Sequence, residues 1–264
     1  MTETKNVLAI FAHPDDEVIC GPGTLALCAE RGDRVSLVCA TRGELGPIAN
    51  EALATRATLS EVRERELRQS CAALGIAHVE VLGLPDSGVA WAAYEQHTLQ
   101  KLVRIIRRDR PAMLISFGSD GIYGHPDHVA MSELACEARR VAADPKFQLP
   151  EARDLQPYYI PRHFFPVWTG RYVRQLLAAL AEAGMPGQLW ALEPEQFPAL
   201  ESVITAEVDV TSVLQKKIKA IHCHRTQLAR DNALALLEGQ LAQRFLGREF
   251  FHCADKLGGT PLEH

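Results

Sequence analysis

The sequence lacks the cysteine pairs that would build a thiolate metal site. Its seven cysteines stand apart, and no two of them have the Cys-x-x-Cys spacing of a zinc ligand pair. Several lie inside apolar runs, such as Cys39 in Val35–Ala40 and Cys136 in Ser132–Ala138, where a reduced cysteine behaves as a small hydrophobic side chain. We therefore expect free thiols, a reducing environment and no cysteine-ligated metal.

The sequence also has no excess of basic residues. It carries 28 Lys and Arg against 33 Asp and Glu, a net charge of −5, whereas phosphate binding needs clustered positive charge. The same balance gives no reason to expect an anionic membrane surface as a partner. We therefore expect neither a nucleic-acid nor a membrane partner.

Long apolar runs are missing as well. No segment approaches the roughly 18 consecutive apolar residues of a membrane-spanning helix, and Met1–Glu17 holds no basic stretch followed by a long apolar one. Low-complexity segments and internal repeats are also absent from the sequence. These features predict a cytoplasmic protein, and they leave open whether it forms a homo-oligomer.

The first half of the sequence alternates two kinds of segment. Apolar residues recur at helical spacing in Gly23–Arg31, Leu59–Leu74 and His97–Arg108. Short apolar runs before, between and after them predict strands at Val7–Ala12, Val35–Ala40, Val79–Leu84 and Met113–Gly118. Short apolar strands that alternate with amphipathic helices are typical of βαβ units. We therefore predict an α/β fold with a Rossmann-like, doubly wound, mostly parallel sheet.

The second half is less regular. It predicts a strand around Tyr158–Phe164 and another at Glu201–Val210, followed by a helix with Thr211 or Ser212 as its N-cap.

No linker divides the chain, and 264 residues suit one α/β domain. We predict a single domain over residues 1–264, in which residues 1–150 form the Rossmann-like core. Residues 151–264 are expected to add the remaining sheet and helix elements and a rim over the carboxyl edge of the sheet.

The first polar motif, Ala12–Glu17, reads Ala-His-Pro-Asp-Asp-Glu and comes directly after the first predicted strand. Ligand sites in open α/β sheets lie at the carboxyl ends of strands. His13 and Asp16 are three positions apart, so one turn can aim both side chains at one point, and both types are common zinc ligands. Three carboxylates beside one histidine would repel one another without a cation. The alternative is a polar turn that caps a helix.

The second motif, Tyr123–His128, reads Tyr-Gly-His-Pro-Asp-His and precedes a helical stretch, Val129–Val141. His125 and His128 repeat the three-residue spacing of the first motif. A histidine pair at a helix start is, by itself, typical of capping or packing. Two such motifs at strand ends of one sheet instead favour a shared site, with nitrogen and carboxylate ligands and further groups for acid–base chemistry, as at a catalytic zinc.

With these motifs the sequence resembles the LmbE-like (PIG-L) family of zinc-dependent N-acetylglucosamine deacetylases, which includes the sugar deacetylases of mycothiol and bacillithiol synthesis. The family's AHPDDE motif stands unaltered at Ala12–Glu17, and its HPDH motif at His125–His128. Weaker matches extend across nearly the whole chain, at Thr41–Glu44, Arg63–Leu67, Leu84–Gly88 and His224–Gln227. The resemblance implies hydrolysis of an N-acyl amide, typically N-acetyl, on a small amino-sugar or related acylated substrate.

The resemblance also implies roles for individual residues. His13, Asp16 and His128 match the family's ligands for Zn²⁺, with Fe²⁺ as an alternative divalent metal. Asp15 matches the general base. Tyr123 falls where some members place a mobile tyrosine at the oxyanion.

His125 matches the histidine that acts as an acid or polarises the carbonyl, and Asp127 matches the carboxylate that holds this histidine. Asp127 would then raise the pKa of His125 and keep it protonated near neutrality. Arg63 and Asp86 align with residues that bind sugar hydroxyls. Alternatively, Arg63 belongs to a solvated helix face, and Asp86 serves only the local hydrogen bonds of a Pro-Asp-Ser-Gly turn.

Three alternatives to this function stay open. Gly21–Ala26 satisfies the Gly-x-Gly-x-x-Ala pattern of a dinucleotide-binding oxidoreductase, but it begins well after the first strand ends, and the second strand ends without an acid for a ribose. A non-catalytic, metal-containing sugar-binding protein would be favoured by a missing Asp15 or His125, yet both are present. An S-conjugate amidase or a natural-product-tailoring deacylase would share the core and differ at the pocket rim, which we expect to come from Gly46–Ser60, Ser87–Tyr94 and Tyr158–Gly170.

Overall fold

Five parallel strands form most of the sheet. The computed structural model describes residues 4–89, 96–152 and 154–255. The strands are β1 (Asn6–Phe11), β2 (Arg34–Cys39), β3 (His78–Val81), β4 (Met113–Ser116) and β5 (Arg162–Pro166). The pairs β3–β2, β2–β1, β1–β4 and β4–β5 are all parallel, which confirms the predicted α/β class with a mostly parallel sheet.

Two antiparallel strands complete the sheet on one side. They are β6 (Ala206–Asp209) and β7 (Arg248–Cys253), and the described strands run in the order β3-β2-β1-β4-β5-β7-β6. The strand predicted at Glu201–Val210 is therefore shorter than expected, because Glu201–Val203 forms a 3-10 turn. The C-terminal part of the chain thus contributes three strands to the sheet as well as loops around its edge.

The described chain contains seven helices of eight or more residues: α1 (Pro22–Glu30), α2 (Leu59–Leu74), α3 (Gln96–Asp109), α4 (Pro126–Ala142), α5 (Gly170–Glu182), α6 (Leu214–Ile221) and α7 (Gly239–Leu246). Helix α6 contacts α1 and α2, whereas α3 packs on α4. Among the described helices, none has the length and apolar character needed to cross a membrane.

The start of α6 differs from its prediction. Thr211 and Ser212 belong to a 3-10 turn, and the α-helix begins at Leu214 with Val213 at its N-cap and no side-chain cap. Thr211 instead donates its backbone N–H to Asp209, at 2.9 Å, so the polar residues before the helix stabilise the turn rather than the helix.

The strand order reverses between β1 and β4. The chain winds outward through β2 and β3 on one side of β1 and continues from β4 on the other side. Such a reversal leaves a crevice at the carboxyl ends of the two central strands. Both strands are almost completely buried, so the loops that follow Phe11 and Ser116 start from fixed points.

Candidate active site

His13, Asp16 and His128 converge in this crevice. His13 Nδ1 lies 3.2 Å from His128 Nε2, and His128 Nε2 lies 3.1 Å from Asp16 Oδ1. The remaining separation, from His13 Nδ1 to Asp16 Oδ2, is 3.6 Å. Ligand atoms around a tetrahedral ion with bonds of about 2.0–2.2 Å stand about 3.3–3.6 Å apart. The two histidine nitrogens and the Asp16 carboxylate therefore have nearly the spacing that a single bound metal ion requires.

Each of these side chains is held by a second contact away from the shared point. Asp16 Oδ2 accepts the backbone N–H groups of Ala12 and His13, at 3.1 and 2.6 Å. His128 Nδ1 lies 3.1 Å from the carbonyl oxygen of Gly121, so its N–H belongs there and Nε2 keeps a free lone pair. His13 Nε2 lies 3.1 Å from Asp127, which leaves Nδ1 free in the same way. The donor set therefore fits a metal ion.

Two overlapping groups of donors also cluster closely enough to hold a metal ion: His13 with His125 and His128, and His13 with Asp86 and Asp127. In the second group both carboxylates face His13 Nε2, at 3.1 and 3.3 Å, where they serve as hydrogen-bond acceptors for the ring. Burial lowers the pKa of His13, but the contacts with Asp127, Asp16 and Asp86 outweigh it and hold the pKa well above its usual value. The surroundings of this ring thus favour positive charge, whether from a proton or a metal ion.

Asp15 lines the crevice on a strained backbone. Its φ of 109° lies in the left-handed region, which costs a non-glycine residue on the order of 1–3 kcal/mol. Burial raises the pKa of its carboxyl to about 6, against the opposing effect of the Arg63 guanidinium. A carboxylate with a pKa near the working pH is suited to accept a proton.

Arg63 is buried against the first motif, so the alternative of a solvated helix face is wrong. It is 3% exposed, and its Nη2 group donates to Asp15 Oδ2, at 3.0 Å, and to the Pro14 carbonyl, at 2.5 Å. Nη1 donates to the Gly43 carbonyl, at 2.8 Å. A Cβ at Gly43 would lie 2.2 Å from this guanidinium, which explains the glycine there. Arg63 therefore binds Asp15 directly and also lines the cavity.

The structure corrects the predicted partnership of Asp127 with His125. The Asp127 carboxylate accepts the backbone N–H groups of Ser87 and Val89, at 2.8 and 3.2 Å, and its ring contact is with His13. His125 instead caps α4, because its Nδ1 accepts the backbone N–H of Asp127, at 3.2 Å.

Because the ring contact of the Asp127 carboxylate is with His13 and not with His125, the expected protonation state of His125 also changes. Burial, His128 and His13 lower the pKa of His125, and together they outweigh the opposing effects of Asp16 and Asp127. An imidazole whose Nδ1 accepts a hydrogen bond carries its proton on Nε2 when neutral. These surroundings therefore favour a neutral His125, with its N–H on Nε2, over the predicted cation.

Tyr123 and Asp86 also lie at the crevice, as expected from the sequence. Tyr123 packs edge-on against the rings of His125 and His128, with centroids 6.0 and 5.2 Å away, and burial raises its pKa far above the usual range. It therefore stays a phenol that can donate a hydrogen bond. Burial raises the pKa of Asp86, but contacts with His13 and with the backbone N–H of Leu45 outweigh it and bring the pKa to about 2.

Most of these residues line a cavity of about 320 Å³, whereas Asp127 and His128 lie buried behind its surface. Of the predicted rim segments, Gly46–Ser60 contributes Gly46 and Pro47, and Ser87–Tyr94 contributes Ser87, while residues 90–94 lie outside the described residues. Tyr158–Gly170 contributes no lining residue in the described part of the chain, because its central residues form the buried strand β5.

Two residues of the second half line the cavity without having been predicted. Gln227 belongs to the weak His-Arg-Thr-Gln match, so a signal for it was present. Trp190 stands in a loop where it and Ala191 both have positive φ, of 50° and 58°, and no sequence pattern marks this conformation.

The glycine-containing start of α1 is occupied by the protein itself. The backbone N–H groups of Gly23 and Thr24 donate to the Glu249 carboxylate, each at 2.8 Å, and Lys217 Nζ lies 2.8 Å from the same group. A dinucleotide pyrophosphate would need these N–H groups. The structure therefore argues against a dinucleotide site at Gly21–Ala26.

Comparisons with known proteins agree with this arrangement. The family model described as PIG-L, GlcNAc-PI de-N-acetylase, matches residues 8–139. A 1D-myo-inositol 2-acetamido-2-deoxy-alpha-D-glucopyranoside deacetylase of Thermobispora bispora is 32% identical, over 97% of this chain and 89% of its own.

Two solved structures are similar in fold. The N,N'-diacetylchitobiose deacetylase of Pyrococcus horikoshii superposes with a TM-score of 0.68 at 24% identity, over 99% of this chain and 88% of its own. The 4-carboxy-2-hydroxymuconate hydratase of Pseudomonas putida gives 0.67 at 23% identity, over 96% and 97%. Because one of these is a hydratase, the fold alone does not decide the reaction, and the site residues must do so.

Proposed function

Because the chain belongs to the PIG-L family of GlcNAc-PI de-N-acetylases, we propose that it hydrolyses the N-acetyl amide of an amino-sugar substrate and releases the free amine and acetate. The observation that carries this proposal is the convergence of His13, Asp16 and His128 beside Asp15, whose pKa is raised to about 6. Metal-dependent amide hydrolysis needs a metal site beside a general base whose pKa lies near the working pH.

The metal ion that we propose is Zn²⁺, held by His13, Asp16 and His128. Two imidazole nitrogens and one carboxylate oxygen are common ligands of catalytic zinc, and Fe²⁺ is the alternative because it accepts the same ligand types. The ion would act as a Lewis acid on the amide carbonyl and acidify the attacking water.

In this proposal Asp15 moves the protons. Its carboxylate accepts a proton from the attacking water, and Arg63, 3.0 Å away, holds the carboxylate in place. The protonated Asp15 then gives that proton to the nitrogen of the leaving amine as the C–N bond breaks. A pKa of about 6 suits both steps, because the group must be ionised at the start and able to return the proton at the end.

His125 and Tyr123 stabilise the oxyanion in this scheme. Both line the cavity, and both carry a neutral donor, the Nε2–H of His125 and the phenol of Tyr123. Neutral donors can stabilise a developing oxyanion without a separate proton transfer, and one such donor typically contributes about 3–4 kcal/mol.

The substrate that we propose is an N-acetylglucosamine joined to a small second group. The cavity volume of about 320 Å³ lies near the lower end of the roughly 300–1,000 Å³ of small-molecule sites. Asp86, with its low pKa, offers a carboxylate that can accept hydrogen bonds from sugar hydroxyls. The relative from Thermobispora bispora is named for a glucosaminide of this kind, which makes the inositol glycoside the first compound to test.

The test is a product assay on the zinc-loaded protein. N-acetylglucosamine, its inositol glycoside, a thiol conjugate and an acylated glycopeptide are each incubated with the protein, and free amine and metal content are measured on the same sample. We expect amine release that is fastest with an N-acetylglucosaminide. Faster release from the thiol conjugate or the glycopeptide would assign the chain to an S-conjugate amidase or a tailoring deacylase, and binding without release would indicate a sugar-binding protein.

The predicted cytoplasmic setting and a homo-oligomeric state stay predictions.

A further inference from the structure

A buried cluster lies behind the Asp15 turn. It consists of Glu17, Ser70 and His224, each at most 1% exposed. Glu17 Oε1 lies 2.5 Å from His224 Nε2 and accepts a hydrogen bond from Ser70 Oγ, also at 2.5 Å. None of the three lines the cavity formed by the described residues.

The cluster reaches the proposed base through one hydrogen bond. The other carboxylate oxygen of Glu17 accepts the backbone N–H of Asp15, at 3.0 Å. Asp15 has a φ of 109°, a conformation that persists only where the surroundings hold it. Arg63 holds the same turn from the other side, through the Pro14 carbonyl and the Asp15 carboxylate. Glu17 and Arg63 therefore fix the Asp15 turn together.

His224 comes from a distant part of the chain that is itself well anchored. It follows α6, and two positions later Thr226 binds Glu66 of α2 through its backbone N–H, at 2.9 Å, and its hydroxyl, at 2.5 Å. The Thr226 carbonyl accepts the N–H of Ala49, at 2.8 Å. These bonds fix the segment His224–Gln227 relative to the first motif.

The His224 side chain makes only one polar contact within the described residues. Its Nδ1 is buried and has no hydrogen-bond partner there, whereas Nε2 contacts Glu17. A buried nitrogen without a partner is unfavourable, so an apolar side chain would fill this space at lower cost. The imidazole is therefore explained by its contact with Glu17 rather than by packing.

We propose that His224 is a positioning residue for the general base: it fixes the Glu17 carboxylate, which holds the Asp15 backbone in the conformation that places the Asp15 side chain in the cavity. This inference rests on the proposed role of Asp15. It gives the His-Arg-Thr-Gln segment a function in the reaction, although His224 lies outside the cavity lining and its side chain hydrogen-bonds only to Glu17 among the described residues.

The test compares His224→Gln with wild type in the zinc-loaded full chain, with 1D-myo-inositol 2-acetamido-2-deoxy-α-D-glucopyranoside as substrate. We expect kcat to fall by about 10- to 100-fold, since a misplacement of about 1 Å at a reacting group can cost 100-fold. KM should change by less than about twofold and zinc content should stay the same, because the pocket and the ligands are untouched. A wild-type kcat, or a loss of zinc or a large rise in KM alongside the lost turnover, would overturn the proposal.

His163→Gln is the matched control. His163 is also 1% exposed and makes one side-chain hydrogen bond, to Ser116 at 2.7 Å, but it lies in β5 and outside the cavity. This variant should lose thermal stability and keep kcat. If it lost kcat as strongly as His224→Gln, the effect would be a general result of a damaged core, and the proposal would fail.

A double-mutant cycle with Asp15→Asn tests the positioning role of His224 separately from the role of Asp15 as the base. If His224 acts through Asp15, adding His224→Gln to Asp15→Asn should reduce the remaining rate by less than about twofold, because coupled residues are not additive. A full further reduction would contradict positioning while leaving the base in place. High activity in Asp15→Asn alone would instead exclude Asp15 as the base, and with it the premise of this inference. Should His224→Gln fail to fold, Ser70→Ala, which removes the other donor to Glu17, takes its place with the same expected pattern.

Discussion

Asp15 is the residue on which the proposed reaction depends most. It lines the cavity, its pKa is raised to about 6, and its backbone is held in a strained conformation by Glu17 and Arg63. Its neighbour Asp16 faces the two histidines instead. The strained backbone at Asp15 turns the two adjacent carboxylates in different directions.

Replacing Asp15 by Asn should therefore separate turnover from metal binding. The amide keeps the size of the side chain but cannot accept the proton, so kcat should fall by about 10²–10⁴-fold. Zinc content, measured on the purified protein, should match wild type. Asp16→Asn is the matched control and should lose zinc as well as turnover. Near-normal turnover in Asp15→Asn would exclude it as the base.

The Arg63 guanidinium lowers the pKa of Asp15, against the larger effect of burial, so Arg63→Gln should raise this pKa further. The proposed reaction needs Asp15 as an ionised carboxylate, and the acidic limb of the kcat/KM profile should therefore move to higher pH. Arg63→Lys keeps the positive charge and should move the acidic limb by less. A limb that stays in place, or moves to lower pH, would contradict this role.

The elements around the crevice are joined by a buried ion pair. Glu249 of β7 accepts the first N–H groups of α1 and lies 2.8 Å from Lys217 of α6, and both side chains are almost completely buried. One carboxylate therefore connects a strand and two helices. The helix start that resembles a dinucleotide motif thus has a structural role in this chain.

Removing one partner of this pair should destabilise the fold without affecting catalysis. Lys217→Met leaves the Glu249 carboxylate buried without its cation, which typically costs about 3–5 kcal/mol. The free energy of unfolding, measured with denaturant, should fall by about that amount, and kcat should stay the same. Lys216→Met is the matched control, because Lys216 pairs with Glu30 on the surface and such pairs contribute about 0–1 kcal/mol. Equal losses in the two variants would contradict the account of the pair.

The elements differ in how well the sequence predicts them. Strands β1, β2 and β4 are buried on both faces and therefore read as continuous apolar runs, and α2 has the predicted bounds, Leu59–Leu74. Strand β7 was not predicted, because its burial alternates and its sequence includes Arg248, Glu249 and His252. Its place in the sheet depends on pairing with β5 and β6, which local pattern does not encode.

At the scale of the whole molecule, the reversal of strand order between β1 and β4 builds the site. It brings His13 and His128, far apart in sequence, to within 3.2 Å. This convergence could be predicted, because both motifs follow apolar strands and the carboxyl ends of parallel strands share one edge. The contact of Asp127 with His13 could not be predicted, because it depends on where the fold places His13 and the turn at Ser87. The part of the cavity wall that Trp190 forms could not be predicted either, because Trp190 lies in an irregular loop.

The central claim is that one metal ion, held by His13, Asp16 and His128, is needed to hydrolyse the amide of an N-acetylglucosaminide. The most direct test is to strip the protein with a chelator, titrate Zn²⁺ back, and follow amine release from the inositol glycoside at each step. We predict no turnover in the stripped protein and recovery that saturates at about one ion per chain, with His128→Ala failing to recover. Full turnover in the stripped protein, or one tightly bound ion without any amine release, would contradict the account.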